Sequence, residues 1–178
     1  MNYIKITKND IANGPGVRVV LWVSGCSIHC KGCHNPQTWD FGTGLSFNEA
    51  AKQEVFEVLN KPHIQGLTLS GGHPLEPNNV EAIYLLIKEI KEKFSKKDIW
   101  LYTGYTWEQI FPTIVTDDFN INRFYQQGII EMCDVVVDGP YIEEQRDISL
   151  PFCGSSNQRL IDVKETLKQG QIIQYKIN

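Results

Sequence analysis

Four short apolar segments, each running into a turn rich in glycine, cysteine or polar residues, constrain the fold of this chain most strongly. The segments are VRVVLWV (17–23), GLTLS (66–70), DIWLY (98–102) and MCDVVVDG (132–139). Their length and their content of β-branched residues predict buried strands. Because segments with helical spacing lie between them, the sequence predicts an α/β fold with a mostly parallel sheet and right-handed crossovers.

The segments between these strands predict helices. In SFNEAAKQEVFEVLN (46–60), Ser46 is the expected N-cap and Glu49 follows three residues later, which is the pattern of a capping box. Residues 78–94 repeat apolar side chains at helical spacing. Shorter helices are expected around residues 107–111, where Thr106 would act as the cap, and 120–127, and a last strand is expected at IIQYKI (172–177).

The length of the chain limits the architecture. A closed eight-unit β/α barrel typically needs about 250 residues, whereas this chain has 178. We therefore expect a single domain, residues 1–178, built as an incomplete β/α barrel. In such a fold the loops that follow the strands gather at one rim, where ligands bind. These loops contain the cysteines and the turns GGHP, TGYT and DGP.

The loop SGCSIHCKGCHN (24–35) contains three cysteines, Cys26, Cys30 and Cys33, in the spacing C-x3-C-x2-C. A [4Fe–4S] cluster usually takes four thiolates, so three would leave one iron open to a chelating molecule such as a methionine moiety. The alternative is a Cys3His zinc site completed by His29 or His34. Structural zinc sites usually join two separated ligand pairs, and the sequence contains no second pair, so the spacing favours the cluster.

Composition restricts the partners and the compartment. With 17 basic and 21 acidic residues the net charge is −4, which argues against a protein that grips nucleic acid. We expect no membrane partner, since no apolar run approaches the length of a bilayer span. The sequence MNYIKITKND lacks an apolar signal core. A reducing, cytoplasmic location is therefore expected, with Cys153 as a free thiol and Cys133 as a small buried residue of a strand.

Several stretches together carry a resemblance to a known family. VSGCSIHCKGCHNPQTW (23–39), NGPGVR (13–18) and SGGHPL (70–75) resemble the radical S-adenosylmethionine (SAM) enzymes, and NGPGVR resembles the subgroup that activates glycyl-radical enzymes. DIWLYTGYTWEQ (98–109) and GSSNQR (154–159) resemble the activating component of the anaerobic, class III ribonucleoside-triphosphate reductases. The resemblance extends from Met1 to about Arg159, and the role of residues 160–178 stays open.

The resemblance implies a partial barrel of the radical SAM type and a division of roles at the site. Cys26, Cys30 and Cys33 would hold a [4Fe–4S] cluster. SAM would lie beside Gly32, Cys33 and His34, and Gly72 would approach its methionyl end. The implied reaction is reductive cleavage of SAM to a 5′-deoxyadenosyl radical, which takes a hydrogen atom from a glycine Cα of the reductase. It needs no catalytic acid or base, but it needs an external low-potential electron donor such as a flavodoxin.

One departure from the family pattern concerns His73. Family members commonly carry an acidic residue after the paired glycines, where this chain has His73. A histidine cannot form an ion pair with the SAM amino group, so we expect either a backbone contact at this position or weaker SAM binding.

Other functions compatible with the sequence are an activase of another glycyl-radical enzyme, of the formate-lyase type, and a zinc-stabilised binding module. The stretch GSSNQR (154–159) has three candidate roles: it could position SAM, contact the reductase or form a buried, hydrogen-bonded loop. Asp138, in the DGP turn, is expected to start a turn rather than to act in catalysis.

Overall fold

The computed structural model describes residues 1–113 and 119–177, and in these residues seven strands form one mixed sheet. The strands are β1 (Asn2–Asp10), β2 (Val17–Val23), β3 (Leu45–Ser46), β4 (Ile64–Gly71), β5 (Asp98–Tyr102), β6 (Val135–Asp138) and β7 (Arg159–Asp162). Their order across the sheet is β3-β1-β2-β4-β5-β6-β7. The four central strands are parallel to one another, while the outer strands pair antiparallel. The predicted α/β class and the parallel centre of the sheet are confirmed.

In the described residues, four α-helices lie between the strands and a fifth follows the last strand. They are α1 (Glu49–Leu59), α2 (Pro77–Lys93), α3 (Trp107–Ile110), α4 (Ile121–Met132) and α5 (Val163–Gln169). Alternate residues of the central strands, such as Leu21, Leu69 and Leu101, pack with these helices in the main core. Among the residues that the structure describes, no helix has the length and apolarity needed to cross a bilayer.

The opposite face of the sheet has a smaller, aromatic core with a buried cation. The Trp100 ring lies 5.4 Å from the Phe152 ring and 5.3 Å from the Tyr175 ring. Arg18 is fully buried beside Trp100 and donates to the Thr68 hydroxyl at 2.8 Å. Arg18 also pairs with Asp98 and donates to the Pro15 carbonyl, so this face anchors the loop NGPG (13–16).

The strand predicted at residues 172–177 is wrong. Only Gln174 forms a bridge, to Ile161, flanked by backbone hydrogen bonds from Asp162 to Ile173 and from Tyr175 to Leu160. This pairing is too short to build a strand. The segment lies along the outer side of β7, where Tyr175 covers Trp100.

The capping box predicted for α1 is also wrong. Ser46 belongs to β3, where it pairs with Asn2, so the chain is still extended at this residue. The side chain of Asn48 accepts a hydrogen bond from the Ala51 N–H at 3.1 Å, and the helix begins at Glu49. The tertiary pairing of β3 therefore moves the helix start by two residues.

Exchange of Asn48 for alanine is expected to cost about 1 kcal/mol of stability, because the first turn of α1 loses its cap. Ser46→Ala is the matched control, and its expected change stays within about 0.5 kcal/mol because Ser46 is exposed and outside the helix. Urea denaturation followed by circular dichroism measures both variants. A larger loss of unfolding free energy in Ser46→Ala than in Asn48→Ala would show that Ser46, and not Asn48, caps the helix.

Candidate functional site

A cavity of about 490 Å³ opens at the carboxyl ends of the four parallel strands. Most of its wall comes from the loops that follow these strands, as the sequence predicted for one common rim, and Ala12 and Asn13 add part of the loop that precedes β2. The predicted site residues on the wall are Cys26, Cys30, Cys33, His34, Gly72 and His73, joined by Thr103 and Gly104 of the TGYT turn and by Gly139. The volume lies within the range of about 300–1,000 Å³ that is typical of small-molecule sites.

The two ends of the cysteine loop are hydrogen-bonded to each other. The loop leaves β2 at Ser24, and the Gly25 and Cys26 N–H groups donate to the carbonyls of Thr38 and Trp39 at 2.7 and 3.1 Å. The ring of His29 stacks on Trp39 with centroids 4.5 Å apart. This packing explains the position of His29 without a bound zinc ion. The loop is thus closed by its backbone, independently of any bound group.

Gly32 lies at the turn between the second and third cysteines. Its φ of 75° is in the left-handed region, which favours glycine. A Cβ at this position would also collide with the Glu143 carboxylate. Glycine is therefore favoured here by its backbone conformation, while the Glu143 carboxylate, at the end of a flexible side chain, fills the space beside it.

The three thiols fit an iron–sulfur cluster in number, type and placement. All three are free, half-buried and face the cavity. Burial raises the pKa of Cys26 and Cys30 above the ordinary thiol value, and the Asn35 N–H donates to the Cys33 sulfur at 3.3 Å. In the described part of the chain no three Cys, His, Asp or Glu side chains converge on a single point for one metal ion. A cubane takes its thiolates at separate corners, so it does not require the three sulfurs to meet at one point.

The paired glycines bring β2 and β4 close together. Gly71 ends β4 with a φ of 104°, and the Gly72 N–H donates to the Val23 carbonyl at 2.8 Å. A Cβ on Gly72 would lie 2.6 Å from the Gly25 carbonyl oxygen. The lack of a side chain at Gly72 is thus needed for the approach of the cysteine loop, in addition to the predicted approach of SAM.

His73 is buried, with 1% of its surface exposed, and both of its ring nitrogens have partners. Nδ1 lies 3.2 Å from the Glu76 carboxylate and Nε2 lies 2.8 Å from the Thr103 hydroxyl. An ionised carboxylate only accepts hydrogen bonds, so Nδ1 of His73 carries a proton and donates it to Glu76. The backbone of His73 is also engaged, since its N–H donates to the Gly25 carbonyl at 2.7 Å.

Glu76 is a site residue that the sequence analysis missed. Its carboxylate accepts the backbone N–H of Ser27 at 2.8 Å and the Ser27 hydroxyl at 2.7 Å. Burial opposes ionisation of Glu76, but the hydrogen bonds from His73 and Ser27 outweigh it and lower the pKa to about 2. The buried anion therefore links the GGHP turn to the residue that follows Cys26. Its position three residues after His73, at the start of α2, was the signal available in the sequence.

Three other predicted residues have structural contacts. Asp138 ends β6, and its buried carboxylate accepts the Trp107 N–H at 2.7 Å and pairs with Arg159. The Gln109 side chain accepts the N–H of Thr106, which confirms Thr106 at the start of α3. Cys153 lines the cavity, and burial raises its pKa to about 11.

Comparison with known proteins identifies the family. Residues 12–161 match the family model described as a 4Fe-4S single cluster domain. The chain is 39% identical over 160 residues to the anaerobic ribonucleoside-triphosphate reductase-activating protein of Haemophilus influenzae, covering 89% of this chain and 96% of the relative. The proteins of the same name from Enterobacteria phage T4 and Escherichia coli K12 are 42% and 38% identical, covering 90% and 89% of this chain and 93% and 96% of theirs. The chain therefore belongs to the family of anaerobic ribonucleoside-triphosphate reductase-activating proteins, built on a 4Fe-4S single cluster domain.

Proposed function

We propose that this protein activates an anaerobic ribonucleoside-triphosphate reductase by generating its glycyl radical, with SAM as the cosubstrate. The observation that carries the proposal is the meeting of three free thiols and the paired-glycine turn on one cavity wall. The relatives are named for the activation of that reductase. When bound, the [4Fe–4S] cluster supplies the electron that cleaves SAM to methionine and a 5′-deoxyadenosyl radical.

The residues of the chain bind, orient and shield in this proposal. Cys26, Cys30 and Cys33 hold the cluster, and Gly32, Cys33, His34 and Gly72 lie beside SAM. The side chain of His73 is occupied by Glu76 and Thr103, and its N–H is occupied by the Gly25 carbonyl, which supports an arrangement in which His73 makes no direct polar contact with SAM. Trp22, Trp39 and Phe152 on the cavity wall exclude water from a reactive radical.

We further propose that the sheet curves as an incomplete barrel within a single domain, residues 1–178, and that its open side admits the glycine loop of the reductase. The tail at residues 172–177 lies against β7 and is not part of the cavity wall, which supports an accessible entrance. The cytoplasm is the proposed location, and an external low-potential donor such as a flavodoxin supplies the electron.

Anaerobic reconstitution with iron and sulfide tests the proposal. We expect about four irons per chain and a paramagnetic reduced state. We also expect 5′-deoxyadenosine from SAM, and a glycyl radical signal only when an anaerobic reductase is added. A colourless protein that retains one zinc would favour the binding module instead. Radical formation on a formate-lyase type enzyme, and none on the reductase, would favour the other class of activase.

A further inference from the structure

The stretch GSSNQR (154–159) forms a loop with internal hydrogen bonds, in which Ser155 is buried, Ser156 is exposed and the other residues are half-buried. Gly154 and Gln158 of this loop also lie on the cavity wall. Ser155 has no exposed surface, and its hydroxyl donates to the Asn157 side-chain oxygen at 2.7 Å. The Gln158 side chain accepts the Gly154 N–H at 2.8 Å. The loop is thus braced by its own side chains, and the side-chain amides of Asn157 and Gln158 donate to the chain that follows β6.

That segment is the strap, residues 140–146, which follows β6. Asn157 Nδ2 donates to the Pro140 carbonyl at 2.8 Å, and the Ser155 hydroxyl accepts the Ile142 N–H at 3.2 Å. Immediately before the strap, Gln158 Nε2 donates to the Gly139 carbonyl at 3.1 Å. Backbone pairing adds a bond from the Ser156 N–H to the Gln145 carbonyl and a bridge between Ser155 and Arg146. The GSSNQR loop therefore holds both ends of the strap.

The strap in turn lies on the cysteine loop, around its second and third cysteines. Tyr141, next to Pro140, packs its ring 5.3 Å from the His34 ring, and its hydroxyl donates to Glu143 at 2.7 Å. The Glu143 carboxylate occupies the space where Gly32 lacks a Cβ. Lys31 and Glu144 pair at 2.7 Å, but both are exposed, so this ion pair contributes little.

We propose that GSSNQR is a positioning element that holds the strap against the cysteine loop and so fixes the loop segment from Cys30 to His34. The proposal rests on the proposed function, because this loop is the one that would hold the cluster. Asn157 is the key positioning residue, since its amide binds Pro140, the residue that precedes Tyr141. The opposite end of the loop is held separately by Glu76 through Ser27, so the two anchors act on different cysteines.

Hydrogen–deuterium exchange of the anaerobically reconstituted protein tests the proposal with Asn157→Asp. This variant keeps the acceptor for Ser155 but replaces the donor to Pro140 with a carboxylate oxygen that repels the carbonyl. We expect amides of the strap and of residues 30–34 to exchange about fivefold faster, the effect of losing one hydrogen bond. Amides of β4 and β5 should change by less than about twofold, and a chelator should remove iron about fivefold faster.

Two further variants sharpen the test. Ser156→Ala is the matched control, since Ser156 is the exposed neighbour in the same loop, and its exchange should match that of the parent protein. Gln158→Glu removes the adjacent donor to Gly139 and should reproduce the pattern of Asn157→Asp.

The proposal is overturned if residues 30–34 keep their exchange rates while the strap accelerates, or if neither segment changes. It is equally overturned if β4 and β5 accelerate as much as the strap, because the loop would then act only on global stability. A parent protein that forms no cluster or leaves SAM intact would refute the proposed function. The same exchange comparison on that protein would still test whether the strap positions residues 30–34.

Discussion

Replacing Cys30 with serine is expected to abolish SAM cleavage and to reduce the iron content from about four per chain to less than half of that value. Cys30 lies between the other two motif cysteines, and its sulfur is half-buried on the cavity wall beneath the strap. A serine oxygen is a harder donor than a thiolate, and burial disfavours its ionisation further. Iron analysis, visible absorption and detection of 5′-deoxyadenosine measure the effect.

Cys153→Ser is the matched control for this experiment. Cys153 lines the same cavity but lies outside the C-x3-C-x2-C spacing, in the segment that leads into GSSNQR. The control should keep about four irons and cleave SAM at a rate close to that of the parent protein. If Cys153→Ser loses the cluster as Cys30→Ser does, then a fourth thiolate holds the cluster and the open iron position required for SAM is absent.

His73→Asp is expected to weaken SAM binding to the reconstituted protein at least tenfold. The aspartate would place a second carboxylate against the buried Glu76 and would remove the hydrogen bond between residue 73 and the Thr103 hydroxyl. Loss of a hydrogen bond to a charged group such as Glu76 costs about 1.5–3 kcal/mol, and about 1.4 kcal/mol of binding free energy corresponds to tenfold in affinity. Since Glu76 anchors Ser27, the disturbance reaches the cysteine loop beside the bound SAM.

The double variant His73→Asp/Glu76→Gln separates charge repulsion from loss of the histidine. It leaves one carboxylate in the pair, so we expect it to bind SAM more tightly than His73→Asp alone. Equilibrium binding of SAM under anaerobic conditions measures affinity, and urea denaturation of each variant measures stability. Tighter binding by His73→Asp than by the parent protein would show that an acidic residue contacts the SAM amino group here and that His73 weakens binding.

Much of the scaffold could be predicted because its signals are local. The apolar, β-branched composition of β2, β4, β5 and β6 marks buried parallel strands regardless of where their partners lie along the chain. The bounds predicted for β5 agree with the structure, and α2 differs by one residue at each end. The three cysteines likewise lie within eight residues of one another. The iron–sulfur chemistry of the loop could therefore be predicted without knowledge of its tertiary surroundings.

The edge strands were not predictable in the same way. β1 mixes polar and apolar residues because it lies near one edge of the sheet and is only partly covered. β7 has four residues and owes its extended form to pairing with β6. By contrast, the tail at 172–177 has the composition of a strand but forms a single β-bridge, between Gln174 and Ile161. Composition determines whether a segment is able to form a strand, and the presence of a neighbouring strand with free backbone groups determines whether it does.

The sequence by itself determined that the three motif cysteines and Gly72 lie at one cavity, and it determined the order of the four parallel strands along the chain. Only the tertiary structure decided how the site is held: Glu76 reaches Ser27 across 49 positions, and Asn157 reaches Pro140 across 17. The physical reason is that periodicity and spacing are properties of neighbouring residues, whereas these hydrogen bonds exist because adjacent strands of the folded sheet deliver their loops to the same edge.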